Sequence, residues 1–344
     1  MTKRHLLGHL LGIVPFGTVR AMRLLHRGRH LTILTYHRVM DRPDYFPFDE
    51  DLISASTRQF RSHLDFVTKH FDVINFRMLD EYMEKNGTLP PRALIITFDD
   101  GYRDNHEVAW PILKEYGVTA TMFVTAGFIG RRRMFWWDRI AYIVKTSPKR
   151  DARADIPGAA PVDLGAFPDR QSAARHLIRT VKNLPDGEKE DFIGRFAGIM
   201  GVSLNEDEHT LTMSWDQVRE LIAGGIEIGG HSVNHPIFSN TGEERLRDEV
   251  SGAKRIIEEQ TGAAVITFGS PGRGILTAEE KPIFERKLRS VIAESGYKFC
   301  TMYRWGLGYE KGFEPYGVPR ISIESHDTDR LFKIKLAYPE LLTY

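Results

Sequence analysis

Asp99 and Asp100 are neighbouring carboxylates in Thr97-Phe98-Asp99-Asp100-Gly101-Tyr102, directly after the apolar run Leu94-Ile95-Ile96. Burying charges at the end of a strand is costly unless they find partners. Either the pair marks a plain Asp-Gly turn, or its partners lie elsewhere in the chain. His231-Ser232-Val233-Asn234-His235 offers them. Two imidazoles four apart are predicted to share one face of a helical turn and to hold one metal ion. A carboxylate from another strand end would complete a set of two His and one Asp with open positions, the pattern of a catalytic site. A metal so held acidifies water and polarises a carbonyl. The second Asp, not ligating, is then free to act as general base. The predicted chemistry is metal-assisted hydrolysis of an amide or ester. Spacing alone does not decide which Asp does which job.

These residues need elements that bring them together. Leu31 to Tyr36, Phe71 to Phe76, Leu94 to Phe98, Ala120 to Thr125, Ile226 to Gly229, Ala264 to Phe268, Tyr297 to Met302 and Arg320 to Ile323 read as strands. Helical patterns stand between them: Arg58 to His70, Arg77 to Asn86, a helix capped by Asp104 or Asn105 and running to Tyr116, Trp215 onward, Glu243 to Gln260 and Ala278 to Ser295. Ser214 with Gln217, and the Thr241-Gly242-Glu243-Glu244 string, suit capping boxes. Strand, helix, strand with short links is the signature of parallel α/β units. About eight short strands suggest a closed or nearly closed β/α barrel, with an open doubly wound sheet as the alternative. In a barrel the C-terminal strand ends form one face, where active sites sit. Asp99, Asp100, His231 and Arg273 all follow strands directly. Between about 148 and 212 the rhythm breaks into a mostly helical insertion, expected to be too small for a strong core of its own.

Two strings, Thr97-Phe98-Asp99-Asp100-Gly101 and His231-Ser232-Val233-Asn234-His235, together resemble the first two motifs of the polysaccharide deacetylases, the NodB-homology group or carbohydrate esterase family 4. Leu34-Thr35-Tyr36-His37-Arg38-Val39, Phe135-Trp136-Trp137-Asp138 and Val318-Pro319-Arg320-Ile321 resemble features of its exopolysaccharide-associated branch. The resemblance runs from about 33 to 323. It implies a distorted (β/α)7-type barrel that removes N-acetyl groups from amino sugars. It also implies Asp99 as base, with Asp100, His231 and His235 holding a divalent metal, zinc by expectation. The family's third motif is usually Arg-x-Pro-Tyr, its Arg orienting the base; here Gly269-Ser270-Pro271-Gly272 stands in its place. Arg273 or Arg320 is the candidate replacement, and the backbone amide of Gly272 remains a candidate oxyanion donor. The family's late Leu-His motif, source of its general acid, is also altered. His326 in Ser325-His326-Asp327 and His37 at a strand end are the candidates. Trp136 and Trp137 are candidate stacking faces for a sugar ring, with at least one of them expected to be buried.

The remaining sequence sets bounds. The chain has 344 residues, 42% of them hydrophobic and 27% charged, with a net charge of +1 that gives no case for a nucleic-acid partner. Cys300 is the one cysteine, which excludes internal disulfides, and its apolar neighbours predict a buried core position. Residues 1–30 are basic, with no acid before Asp41. They predict an amphipathic segment on an anionic membrane surface, or else a packed N-terminal helix. The expected organisation is that segment, a barrel over 31–330 and a tail over 331–344. The expected place is the cytoplasm or the cytoplasmic membrane periphery, an exported form being left open. The expected partner is an acetylated glycan of the bacterial surface or its lipid-linked precursor. The alternatives are a hydrolase of a non-sugar amide on the same barrel and a silent glycan-binding relative.

Overall fold

The computed structural model describes residues 16–18, 28–205, 209, 211–272 and 274–342. Seven parallel strands close into a barrel: β1 (His30–Tyr36), β2 (Ala93–Phe98), β3 (Thr121–Val124), β4 (Glu227–Gly230), β5 (Thr267–Gly269), β6 (Phe299–Trp305) and β7 (Val318–Ser322). Each pairs with the next in sequence, and β7 closes on β1 through Leu34–Ile321 and Thr35–Ser322. Strand periodicity divides the apolar residues into two sets. Leu34, Ile96, Phe98, Met122 and Val124 pack with the surrounding helices. Ile33, Ile95, Phe123, Phe299 and Val318 form a separate cluster, capped by Phe76 and Leu79. A parallel barrel buries both faces of its strands, which is why the strands read as continuous apolar runs. Two of the short strands outside the ring pair with its strands. Asp72–Ile74 pairs with the first half of β2, and Gly308–Tyr309 pairs antiparallel with the start of β1.

Among the described residues from 28 onward, the α-helices are α1 (Thr57–His70), α2 (Phe76–Asn86), α3 (Trp110–Glu115), α4 (Trp136–Thr146), α5 (Arg170–Val181), α6 (Asp186–Met200), α7 (Trp215–Ala223), α8 (Glu243–Thr261), α9 (Glu280–Glu294) and α10 (Asp329–Ala337). Capping boxes open α1 at Ser56/Gln59 and α7 at Ser214/Gln217. The one expected at Thr241 does not form. Gly242 is the N-cap of α8, and the Thr241 hydroxyl donates instead to the Phe238 carbonyl. The helix expected from residue 104 is split into a π-turn over Asn105–Ala109 and then α3. One cause is local and one tertiary: Pro111 brings no N–H, and the Asp104 carboxylate is taken by Arg38 and the Val39 amide.

The helical insertion does not pack alone. Its helices α5 and α6 pack with α4 and with the loop carrying Phe46 and Phe48 around a second core that includes Tyr102, Phe135, Leu177, Phe192 and Phe196. A two-stranded hairpin, Arg153–Ala154 with Val162–Asp163, joins α4 to α5. The first half of the stretch expected as a C-terminal tail belongs to α10. Its Phe332 is buried and stacks on His63 of α1 at 3.9 Å. Its Lys335 ammonium reaches Asp327 at 2.6 Å. Cys300 is buried, and burial pushes its thiol up to about 12. No described helix is long and apolar enough to cross a membrane. Apart from 16–18 and 28–30, the basic segment lies outside the described residues.

Candidate active site

Asp99 continues the β2 ladder, its amide donating to the Tyr36 carbonyl at 2.9 Å. Neighbouring strand residues would normally face opposite sides. Asp100 breaks that rule with a left-handed backbone (φ 76), a conformation Asp tolerates better than most residues. Both carboxylates therefore line one cleft. Gly101 follows at φ 85, and a Cβ there would lie 2.9 Å from Ile129 Cδ1. The two Asp depend on that glycine to make the turn.

His231 and His235 do not sit on a helical turn as expected. They lie in an irregular loop after β4, with Ser232 (φ 66) and His235 (φ 54) left-handed. Glu249 of α8 holds this loop. Its buried carboxylate accepts the amides of Val233 (2.9 Å) and Asn234 (2.7 Å) and the Asn234 side-chain NH2 (3.0 Å). The amides of Ala126 and Gly127 donate to the Ser232 and Val233 carbonyls from the other side.

Asp100 Oδ1 lies 3.4 Å from His231 Nε2 and 3.3 Å from His235 Nε2. The three ligand atoms converge, and Asp100 Oδ1 is buried without a hydrogen bond. His231 Nδ1–H donates to the Gly269 carbonyl at 2.7 Å, so its Nε2 lone pair faces Asp100. Burial pushes the His235 imidazole below its ordinary value despite the neighbouring Asp100, which favours the neutral form. Burial alone would raise Asp100, but the closeness of the His231 and His235 imidazoles holds its carboxyl well below the usual range. Bonds of about 2.0–2.2 Å to a tetrahedral ion imply ligand–ligand edges of roughly 3.3–3.6 Å. The spacing, the orphaned carboxylate oxygen and the neutral imidazole fit a divalent metal.

Arg320 of β7 meets Asp99: its Nη1 donates to both carboxylate oxygens at 2.8 Å, and both side chains are buried. Arg273, the other candidate, lies outside the described residues. The structure also shows why Arg is missing from the head of the third motif. A Cβ at Gly269 would stand 2.6 Å from the Phe123 ring and 3.1 Å from His231 Nδ1. The same closeness lets the Gly269 carbonyl hold His231.

The cleft, about 590 Å³, is lined by Asp99, Asp100, His231, His235, His37, Trp136, Trp137 and Gly272, with Asp49, Leu52, Ile178, Lys182 and Ile237 on its walls. Both Trp side chains are more than nine-tenths buried yet line it. Trp137 presents its ring to His235 at 4.7 Å, edge to face. His326 is not brought in; its side chain is 72% exposed and pairs with Glu324.

A buried polar chain that sequence reasoning missed fixes Trp137. The indole N–H donates to the Tyr102 hydroxyl (2.8 Å), which donates to Asp138 Oδ2 (2.7 Å). Asp138 Oδ1 accepts the Asp49 amide at 3.0 Å. Arg38 covers the Tyr102 ring at 4.5 Å. Burial pushes Asp138 up to about 6 and Asp49 up to about 7. Only the positions of Tyr102 after the Asp-Asp pair and Asp138 after the two Trp hinted at this arrangement.

The chain is similar to known proteins. The family described as polysaccharide deacetylase matches residues 86–152 and 191–299, just over half of the chain. The chain belongs to the polysaccharide deacetylase family. The break in that match falls within the stretch that carries the hairpin and α5. A poly-beta-1,6-N-acetyl-D-glucosamine N-deacetylase of Staphylococcus aureus (strain MSSA476) is 32% identical over 129 residues, 35% of this chain and 44% of the relative. The matched stretch thus spans less than half of that relative. Among solved structures, IcaB from Ammonifex degensii superposes with a TM-score of 0.55 at 19% identity, covering 89% of this chain and 97% of that one. The Streptococcus pyogenes deacetylase PplD, in complex with acetate, gives a TM-score of 0.54 at 16% identity over 88% and 96% of the two chains. At these identities the likeness concerns the fold, a (β/α)7 barrel.

Proposed function

We propose that the protein is a metal-dependent hydrolase that removes N-acetyl groups from amino sugars of a bacterial surface polysaccharide or its lipid-linked precursor. One observation carries the reading: a buried Asp99–Arg320 pair stands beside the convergent Asp100, His231 and His235 in an aromatic-walled cleft. Asp100, His231 and His235 would hold the ion, zinc by its donor set, and when bound it supplies Lewis acidity toward the acetyl carbonyl.

The remaining work belongs to the chain. Asp99 takes the proton of the attacking water as general base. Arg320 keeps both Asp99 oxygens oriented through charge-assisted bonds. The Gly272 amide faces the developing oxyanion, a role that needs no side chain. His37, whose backbone is tied to Ser54 and Asn105 and which lines the cleft, returns a proton to the leaving amine. Trp136 and Trp137 give the sugar ring a wall.

The relatives named for N-deacetylation support this reading, as does the retained ligand set, since a silent glycan binder has no need of it. The basic first thirty residues motivate the lipid-linked substrate and a place at the cytoplasmic membrane periphery. The test is acetate release from a panel of acetylated glycans, polymeric and lipid-linked. Release from at least one by the wild type, lost in Asp99→Asn, is expected. A panel on which neither protein releases acetate while the wild type binds the glycans would favour the silent binder.

A further inference from the structure

Beside the catalytic cleft lies a second cavity of about 680 Å³, and the two share Trp136 and His235 in their walls. Its aromatic side is Phe128, Phe135 and Trp136. Its rim carries four cations, Arg133, Arg139, Lys189 and Arg245, against two carboxylates, Asp186 and Glu190. Both carboxylates are committed. Asp186 meets Lys189 at 2.7 Å and Arg245 at 2.7 Å, and Glu190 meets Arg139 at 2.5 Å. Two positive charges are left in excess. Arg133 and Arg245 are both exposed, and the Arg133 guanidinium lies 4.4 Å from the Phe128 ring centroid and reaches Asn234 Oδ1 at 3.5 Å. Among the described residues Arg133 pairs with no carboxylate.

Lys189, only 3% exposed, holds its ammonium 4.8 Å from the Trp136 centroid. A surplus of positive charge set against an apolar wall focuses the field at the cavity. A neutral sugar would call for stacking faces and hydroxyl partners, not for a cationic surplus.

We propose that this cavity is an anion subsite. It receives an oxyanion, carboxylate or phosphate, carried by the unit of the substrate next to the acetylamino sugar. Arg133 is its main contact, since a guanidinium fork matches either group. The position of that unit follows from the shared wall and so rests on the proposed reading of the catalytic cleft; the anion preference does not.

The test measures binding, not turnover. Calorimetry on the full chain carrying Asp99→Asn, with metal-stripped wild type as a second preparation, compares three probes. They are N-acetylglucosamine linked to glucose, the same sugar linked to glucuronate, and N-acetylglucosamine 1-phosphate. At least one acidic probe should bind about ten-fold more tightly than the neutral one, the gain of one charge-assisted contact. That gap should shrink with added salt, vanish in Arg133→Ala and persist in Arg131→Ala. A gap for glucuronate alone assigns an acidic sugar, and a gap for the phosphate alone assigns a glycosyl phosphate. Equal affinity for all three probes, or a preference that survives Arg133→Ala, overturns the proposal. Acetate release by the wild type from the neutral disaccharide tests the hydrolytic reading separately.

Discussion

Arg320 Nη1 reaches both oxygens of Asp99 at 2.8 Å, with the guanidinium 4% and the carboxylate 1% exposed. Removing one partner of such a pair leaves a buried charge uncompensated and free to turn away from the cleft. Arg320→Ala should therefore lower kcat by about 10²-fold or more, the range for a disabled general base, while metal content stays near that of wild type. Arg320→Lys, a point charge without the planar fork, should recover only part of the rate. Steady-state kinetics beside metal analysis checks both. Asp99, Asp100 and the His pair were legible because their residue types are poor core material at strand ends. The choice of Arg320 over Arg273 was not, because it depends on β7 closing against β1. Tyr102 is a second case, since its role rests on two hydrogen bonds to distant residues. Tyr102→Phe leaves the Trp137 N–H unpaired and should cost about 1–3 kcal/mol, read as a lower denaturant midpoint.

At the scale of elements, strand ends alone do not shape the site; two loops with left-handed residues do. The spacing of His231 and His235 suggested a helical turn, and the structure replaces it with a loop pinned by Glu249. That difference has a physical cause. Positive φ at Ser232 and His235 is held by tertiary contacts from α8 and the 126–127 segment, and no local pattern reports them. Glu249→Gln keeps the shape and loses the charge, so fewer amide donors are satisfied. Metal affinity should fall roughly 10-fold, at the low end for residues that orient ligands. Chelator competition reads the change directly. Gly269 belongs to the same scale: its missing side chain lets the Phe123 ring and His231 close in, so the altered third motif is a packing requirement of β5 and β3.

For the molecule as a whole, strand-helix alternation made the barrel readable, and the insertion read as too small for a core of its own, while α10 was read as a tail. Both bury their apolar faces against distant segments, Phe46 and Phe48 for the insertion and α1 for α10, so neither core is contained in its own stretch of sequence. The end of the barrel opposite the cleft carries a pH-dependent element. The Glu227 carboxylate accepts the Phe76 and Arg77 amides at the start of α2 and the hydroxyls of Thr121 and Thr267. Burial nonetheless pushes it up to about 7 from an ordinary 4.5. A carboxyl raised on folding contributes stability that is complete below its unfolded value and is lost as pH rises through the folded one. Between pH 4.5 and 7 the loss should reach roughly 3 kcal/mol at most. Denaturant unfolding from pH 5 to 8 should therefore show a steeper decline for wild type than for Glu227→Gln, which carries no titrating group there.

The central claim joins two halves, a metal held by Asp100, His231 and His235 and a base, Asp99, that does not ligate. Acetate release during zinc titration of the chelated full chain, wild type against Asp99→Asn, tests both halves together. Wild-type activity should return with one ion per chain, and Asp99→Asn should bind that ion while releasing acetate at least about 10²-fold more slowly. Wild-type release that is indifferent to chelation, or an Asp99→Asn rate equal to wild type, would contradict the account.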